Sequence, residues 1–137
     1  MVREIVKDNE RLIQKAVEAT KEDLHIIDDM IDTAKANEDI CVGLAANQIG
    51  ERARIIIVKM GKQFIPLVNP QIVSHSQSMY EEEEACLSHE GTKMAKRYVS
   101  IEVAYQDRNF KKKKQKFNGF VAQVIQHEID HCEGILI

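Results

Sequence analysis

Two histidines four residues apart, with a glutamate directly after the first, stand near the end of the chain as Gln126-His127-Glu128-Ile129-Asp130-His131. This His-Glu-x-x-His pattern constrains the fold because it is a metal-binding arrangement only on a helix. At about 3.6 residues per turn, His127 and His131 then share one face, one turn apart. Both imidazoles reach one metal ion from there, and Glu128 reaches a water beside it. The surroundings read as a helix: Asn118-Gly119 opens it, Phe120, Val121, Val124 and Ile125 precede the histidines, and Gly134 ends it. Two histidines on an ordinary surface helix would give the same spacing, so the remaining chain must supply the context.

A catalytic centre of the zinc type uses three protein ligands and keeps a fourth position for water. Six residues follow His131, and the sole carboxylate among them, Glu133, is two positions on and faces another side of the helix. A third ligand is therefore expected upstream. Cys86 is the best candidate, since a thiolate beside two imidazoles suits iron, zinc, nickel or cobalt. His89 is its rival, because Cys86-x-x-His89 is itself a ligand spacing. Cys41 and Cys132 are weaker; Cys132 is rotated about 100° from the ligand face. His25, off the apolar stripe of its helix, and His75, between two serines, read as surface histidines.

Upstream, Leu24, Ile27, Met30, Ile31 and Ala34 recur at three- and four-residue steps behind the capping side chains of Thr20-Lys21-Glu22-Asp23. Residues 22–36 are thus expected to form an N-terminal amphipathic helix. The β-branched run 54–60 predicts a strand buried on both faces, with Gly61-Lys62 as a hairpin turn. Residues 64–68 follow as a strand that Pro66 places at an edge, Asn69-Pro70 reads as a turn, and 71–75 as another short strand. The four acids 81–84 read as a solvated segment. Alternation over 99–105 predicts a half-buried strand, and 111–117 returns as a cationic one whose lysines discourage edge-to-edge pairing. The fold class expected is α+β: small antiparallel or mixed β-sheets packed around a central C-terminal helix carrying the His-Glu-x-x-His motif, in a single domain over residues 1–137.

Between the first helix and strand stands Val42-Gly43-Leu44-Ala45-Ala46-Asn47-Gln48-Ile49-Gly50. Small residues in tandem signal close packing or close backbone approach. The Gln48 amide at the end of that run must be hydrogen-bonded if buried, either to backbone or to a ligand.

Composition excludes several classes. The 137 residues carry a net charge of -3, which gives no global reason to expect nucleic acid or a membrane surface as partner. Lys111-Lys112-Lys113-Lys114 is the one concentrated charge and reads as a solvated face. No apolar run approaches the roughly 20 residues needed to span a bilayer, and the N-terminus lacks the apolar core of a signal peptide. Three cysteines without paired spacing suit a reducing compartment, so a cytoplasmic protein is expected.

At this point the sequence resembles the peptide deformylases. That family carries, in order, Gly-x-Gly-Leu-Ala-Ala-x-Gln, Glu-Gly-Cys-Leu-Ser and Gln-His-Glu-x-Asp-His. Here they appear as Cys41-Val42-Gly43-Leu44-Ala45-Ala46-Asn47-Gln48, Glu84-Ala85-Cys86-Leu87-Ser88 and Gln126-His127-Glu128-Ile129-Asp130-His131. The similarity extends to Asp8-Asn9-Glu10-Arg11-Leu12 and to the Gly134-Ile135-Leu136 ending. It implies one divalent ion held by Cys86, His127 and His131, typically Fe2+ with Zn2+, Ni2+ or Co2+ as substitutes. It further implies Glu128 as acid and base, and the Gln48 amide and Leu87 N–H as donors to the developing oxyanion. Val42, Gly43, Ala85, Phe120, Gln123 and Val124 would then line the substrate site. The reaction implied is removal of formate from the N-formylmethionine of nascent polypeptides, near the ribosome, in the cytoplasm, with no membrane and no specific nucleic-acid partner.

The chain departs from the family pattern at Cys41 and Ala85, both usually glycine. It departs also at Gln123, where an apolar residue commonly lines the methionine pocket. Those departures motivate two alternatives: a deformylase-like protein that binds metal or formyl-peptide with little turnover, and a related metal-dependent amidase.

Overall fold

In the computed structural model, which describes residues 1–137, the elements run α1 (Asn9–Leu12), α2 (Leu24–Ala36), β1 (Gly43–Ala45), β2 (Ile55–Met60), β3 (Gln63–His75), β4 (Met79–Cys86), β5 (His89–Tyr98), β6 (Ser100–Gln106), β7 (Lys112–Asn118) and α3 (Gly119–Cys132). Five strands form one antiparallel sheet in the order β1-β2-β3-β6-β7, and β4 pairs with β5 as a separate hairpin. The architecture is α+β, with antiparallel sheets around the C-terminal helix.

Strand β2 explains how two helices find their places. Successive side chains of a strand point to opposite faces. Ile55 and Ile57 pack with Ile26, Ile27, Met30 and Ala34 of α2, whereas Ile56 and Val58 pack with Ala122, Val124, Ile125 and Ile129 of α3. All four β2 residues are fully buried, and each such side chain contributes roughly 1.5–3 kcal/mol. The expected N-terminal helix forms behind Thr20, whose N–H donates to the Asp23 carboxylate at 2.9 Å.

Where two strands and a turn at Asn69-Pro70 are expected, the chain makes one strand. β3 pairs with β2 through Val68 and with β6 from Val68 to His75, with the register shifting between Val68 and Gln71. Asn69 takes φ 51°, a left-handed conformation that asparagine tolerates better than most residues. Its side chain holds the kink in place, accepting from Ala19 N at 2.8 Å and donating to Gln106 Oε1 at 2.9 Å. The turn signal is thus absorbed as a bulge. Pro66 lies opposite Ile57, in the half of β3 that pairs with β2 alone.

The acidic run is the second correction. Residues 81–84 lie in β4; Glu81, Glu82 and Glu83 are solvated as expected, whereas Glu84 turns inward because Arg97 of β5 meets it there. The lysines of β7 are exposed on the sheet edge, with Lys113 3.6 Å from Asp107 and Lys114 3.8 Å from Glu102. No helix is long and apolar enough to cross a membrane.

Candidate metal centre

Helix α3 is buried on two sides. Ala122, Ile125, Ile129 and Cys132 face the five-stranded sheet. The i, i+4 stripe Gln123, His127 and His131 is also buried, together with Glu128. The β4–β5 hairpin joins this side: the Gln126 side chain accepts from Tyr98 N at 2.8 Å and donates to Tyr98 O at 3.0 Å, as a neighbouring strand would. Asn47 donates to the His131 carbonyl at 3.0 Å and so ties the 3-10 turn Ala46–Ile49 to the end of α3. Three segments distant in sequence thereby converge on two turns of one helix.

At their meeting point the ligand atoms of Cys86, His127 and His131 all lie within 4.8 Å of one another. The Cys86 sulfur is 3.4 Å from His131 Nε2. One thiolate and two imidazoles, with room for a fourth ligand, form a donor set that fits a divalent transition metal. His89, the rival third ligand, lies elsewhere: its Nδ1 is 3.0 Å from the Ile137 carbonyl and its Nε2 2.9 Å from Asn9 Oδ1.

Glu84 organises the centre from behind. Its Oε1 accepts from His127 Nδ1 at 2.8 Å and from Arg97 Nη2 at 2.6 Å. Its Oε2 accepts from Arg97 Nε at 2.9 Å and from Gln123 Nε2 at 3.0 Å. Burial opposes ionisation of this carboxyl, but the bonds from Arg97, His127 and Gln123 outweigh it and hold Glu84 down at about 2. Arg97 also reaches Asp130 Oδ2 at 2.6 Å, which anchors the fork to α3. Burial likewise opposes charge on His127, yet in the metal-free chain the Cys86 sulfur and the Glu84 carboxylate push it up to about 10, so a metal ion binding there releases a proton from the ring. Burial, with the charge of His127 beside it, holds His131 down at about 3, as the neutral imidazole that metal binding requires.

Glu128 is buried, and its Oε1 has no hydrogen-bond partner within the chain. Burial raises its carboxyl to about 7, near the value a group needs to take and return a proton at neutral pH. Gln48 is oriented from both ends. Its Oε1 accepts from Ala45 N at 3.0 Å, which turns its NH2 towards Cys86 Sγ at 3.3 Å and Ser88 Oγ at 3.2 Å. The Gln48 amide is thus held by backbone at its oxygen end, and its donor end lies at the centre. Leu87 lies in the turn after β4, and its N–H enters no backbone hydrogen bond.

A cavity of about 210 Å³ opens beside these groups. Val42, Gly43, Ala85, Phe120, Gln123 and Val124, expected at the substrate site, all line it, together with Gln48, Cys86, Leu87, His127 and Glu128. Cys41 lines it too, but its thiol donates to the Gly43 carbonyl at 3.3 Å, and burial raises it to about 11, so it remains a neutral thiol. Sequence reasoning missed Glu84 and Arg97 as partners of the centre, and Gln126 as the pin between α3 and β5. Glu84 could have been singled out by its place two residues before Cys86, where strand alternation sends both side chains to one face.

A family model described as polypeptide deformylase matches residues 2–137. A peptide deformylase of Clostridium beijerinckii is 56% identical over 137 residues, covering 100% of both chains. Among solved structures, a peptide deformylase from Legionella pneumophila superposes with a TM-score of 0.90 at 37% identity, over 99% of this chain and 83% of that one. A class I type b peptide deformylase from Acinetobacter baumannii, solved with Met-Ala-Ser bound, gives 0.90 at 28% identity, over 99% of this chain and 97% of that one. The match runs through the N-terminal segment, both sheets and the helix that bears the histidines, and with it the chain belongs to the polypeptide deformylase family.

Proposed function

We propose that this protein is a metal-dependent peptide deformylase that removes the formyl group from the N-terminal N-formylmethionine of nascent polypeptides and releases formate. One observation carries the reading: Gln48, Cys86, His127 and Glu128 line one cavity, with His131 beside Cys86. In this reading Cys86, His127 and His131 hold one divalent ion. The family resemblance favours Fe2+, with Zn2+, Ni2+ and Co2+ as competent substitutes, and one thiolate with two imidazoles suits any of the four. When bound, the ion supplies a Lewis acid that makes hydroxide available from water near neutral pH.

The remaining work falls to the chain's own side chains. Glu128, held near 7 by burial, accepts the proton of the attacking water and delivers it to the leaving amine. The Gln48 NH2, aimed by the Ala45 N–H at its other end, donates to the oxyanion that forms on the formyl carbon. The Leu87 N–H is the second donor. One such donor contributes about 3–4 kcal/mol to the transition state. Val42, Gly43, Ala85, Phe120, Gln123 and Val124 receive the methionine end of the peptide. The Acinetobacter relative with Met-Ala-Ser bound supports a peptide with an N-terminal methionine as ligand. In this reading the protein works in the cytoplasm, near the ribosome, on N-formylmethionyl peptides and nascent chains.

The test is anaerobic purification, metal analysis, and formate release from formyl-Met and acetyl-Met peptides beside a Glu128→Ala control. Formate release that Glu128→Ala abolishes is the expected result. A metal-replete protein that releases no formate overturns the proposal.

A further inference from the structure

Residue 123 stands one helical turn before His127 and lines the cavity, where an amide is a poor surface for a methionine side chain unless its polar atoms are engaged elsewhere. They are. Gln123 Nε2 donates to Glu84 Oε2 at 3.0 Å, and its Oε1 accepts from the Tyr80 hydroxyl at 3.3 Å. Both partners belong to β4, so each amide atom has a partner outside the cavity.

The count at Glu84 gives this contact its meaning. An ionised carboxylate offers about four acceptor positions. Arg97 fills two, one on each oxygen, and His127 fills a third. Gln123 fills the fourth, and without it Oε2 keeps a single partner. The Glu84 carboxylate is the group that receives the Nδ1–H of His127, and that bond fixes which ring nitrogen is left to bind metal. The Glu84 carboxylate, which can only accept, turns the Gln123 NH2 towards itself, and the Tyr80 O–H supports that orientation by donating to the amide oxygen at 3.3 Å.

We infer that Gln123 is a positioning residue for the metal centre: with Tyr80 it closes the hydrogen-bond shell of Glu84 and thereby holds the His127 imidazole in its metal-binding orientation. The inference rests on the reading of His127 as a ligand. It assigns to the departure at position 123 a role in the centre itself, where the sequence offers only a change in the pocket lining.

The experiment compares the zinc-loaded full-length protein with Gln123→Met, Tyr80→Phe, the double variant and His127→Ala. Zinc release to an excess of chelator, histidine 15N–1H spectra and steady-state formate release are recorded for each. Direct partners of metal-bound histidines typically change affinity 10- to 100-fold, so Gln123, one bond further out, is expected to speed release about 3- to 10-fold. The His127 Nδ1–H should exchange faster in Gln123→Met, and kcat should fall with little change in KM. Tyr80→Phe should move release the same way and add nothing in the double variant. If Gln123→Met folds poorly, Tyr80→Phe alone carries the comparison. Zinc release and Nδ1–H exchange at wild-type values, with only KM altered, overturn the inference and leave the ligand assignment standing. Zinc retention by His127→Ala as tight as wild type overturns the ligand assignment itself.

Discussion

The backbone of Gly43 lies directly against the carboxylate of Glu128: a β-carbon at position 43 would sit 2.7 Å from Glu128 Oε2 and 2.6 Å from Val124 Cγ1. Glycine is required here by close approach. Val124 of α3 is packed in the core, and Glu128 is buried, so neither retreats freely. Gly43→Ala is therefore expected to displace the general base and to lower kcat/KM by roughly 10²-fold, the cost of a misplacement on the order of 1 Å. Metal content should stay near wild type, because no ligand is touched. Steady-state kinetics beside metal analysis checks this, and activity within threefold of wild type would show that the carboxylate has slack.

The ligand assignment yields a ranking. Cys86 stands with His127 and His131, whereas both ring nitrogens of His89 are engaged by Asn9 and Ile137. Cys86→Ser replaces a thiolate by a poor ligand and is expected to reduce metal occupancy after dialysis to a small fraction of wild type. His89→Ala should leave occupancy unchanged. Metal analysis of the two variants decides, and the reverse ranking would move the third ligand to His89.

The two halves of the site were unequally legible in the sequence. Helix α3 and strand β2 announce themselves because the helical spacing of the one and the unbroken β-branched run of the other are local properties of a short stretch. His127, Glu128 and His131 likewise share one local pattern, whereas Cys86 and Gln48 are singled out by the family resemblance. The β4–β5 hairpin is hidden, because four glutamates in succession carry no alternation of their own, and only the spacing to Cys86 sets Glu84 apart. What buries Glu84 is Arg97, on another strand, and nothing near position 84 announces that pairing. The same limit applies at Asn69-Pro70. A local turn signal lost to two strand partners, β2 and β6, whose pairing carries β3 straight through.

Arg97 makes a prediction that depends on pH. Its guanidinium is buried between Glu84 and Asp130. Arg97→Leu leaves the Glu84 carboxylate buried with only His127 and Gln123 against it, and breaking a buried pair in this way costs about 3–5 kcal/mol at pH 7. The carboxyl is held at about 2, below the ordinary 4.5, so its ionised form stabilises the fold above pH 4.5 and that contribution is lost as pH falls through 2. The stability gap between wild type and Arg97→Leu should therefore narrow between these values. Urea unfolding of the metal-free proteins at pH 7 and pH 3 measures it, and a gap independent of pH would assign the cost to packing alone.

Glu128 is the complementary case, a group placed for chemistry at the expense of the fold. Burial raises its carboxyl from 4.5 to about 7, so the folded state holds this proton more tightly than the unfolded chain does. The sign is opposite to that of Glu84. Stability is highest below pH 4.5, declines as pH rises towards 7, and stays reduced above it. A raise of this size corresponds to about 3 kcal/mol at full ionisation. Glu128→Gln removes the titration while keeping the shape, so in the metal-free protein it is expected to be more stable than wild type by that order at pH 8. At pH 4 the two should be equal. The variant should also release no formate, because an amide cannot take the proton of water. Urea unfolding at the two pH values beside a formate assay tests both halves, and equal stability at pH 8 would mean that the carboxylate is solvated in the folded protein.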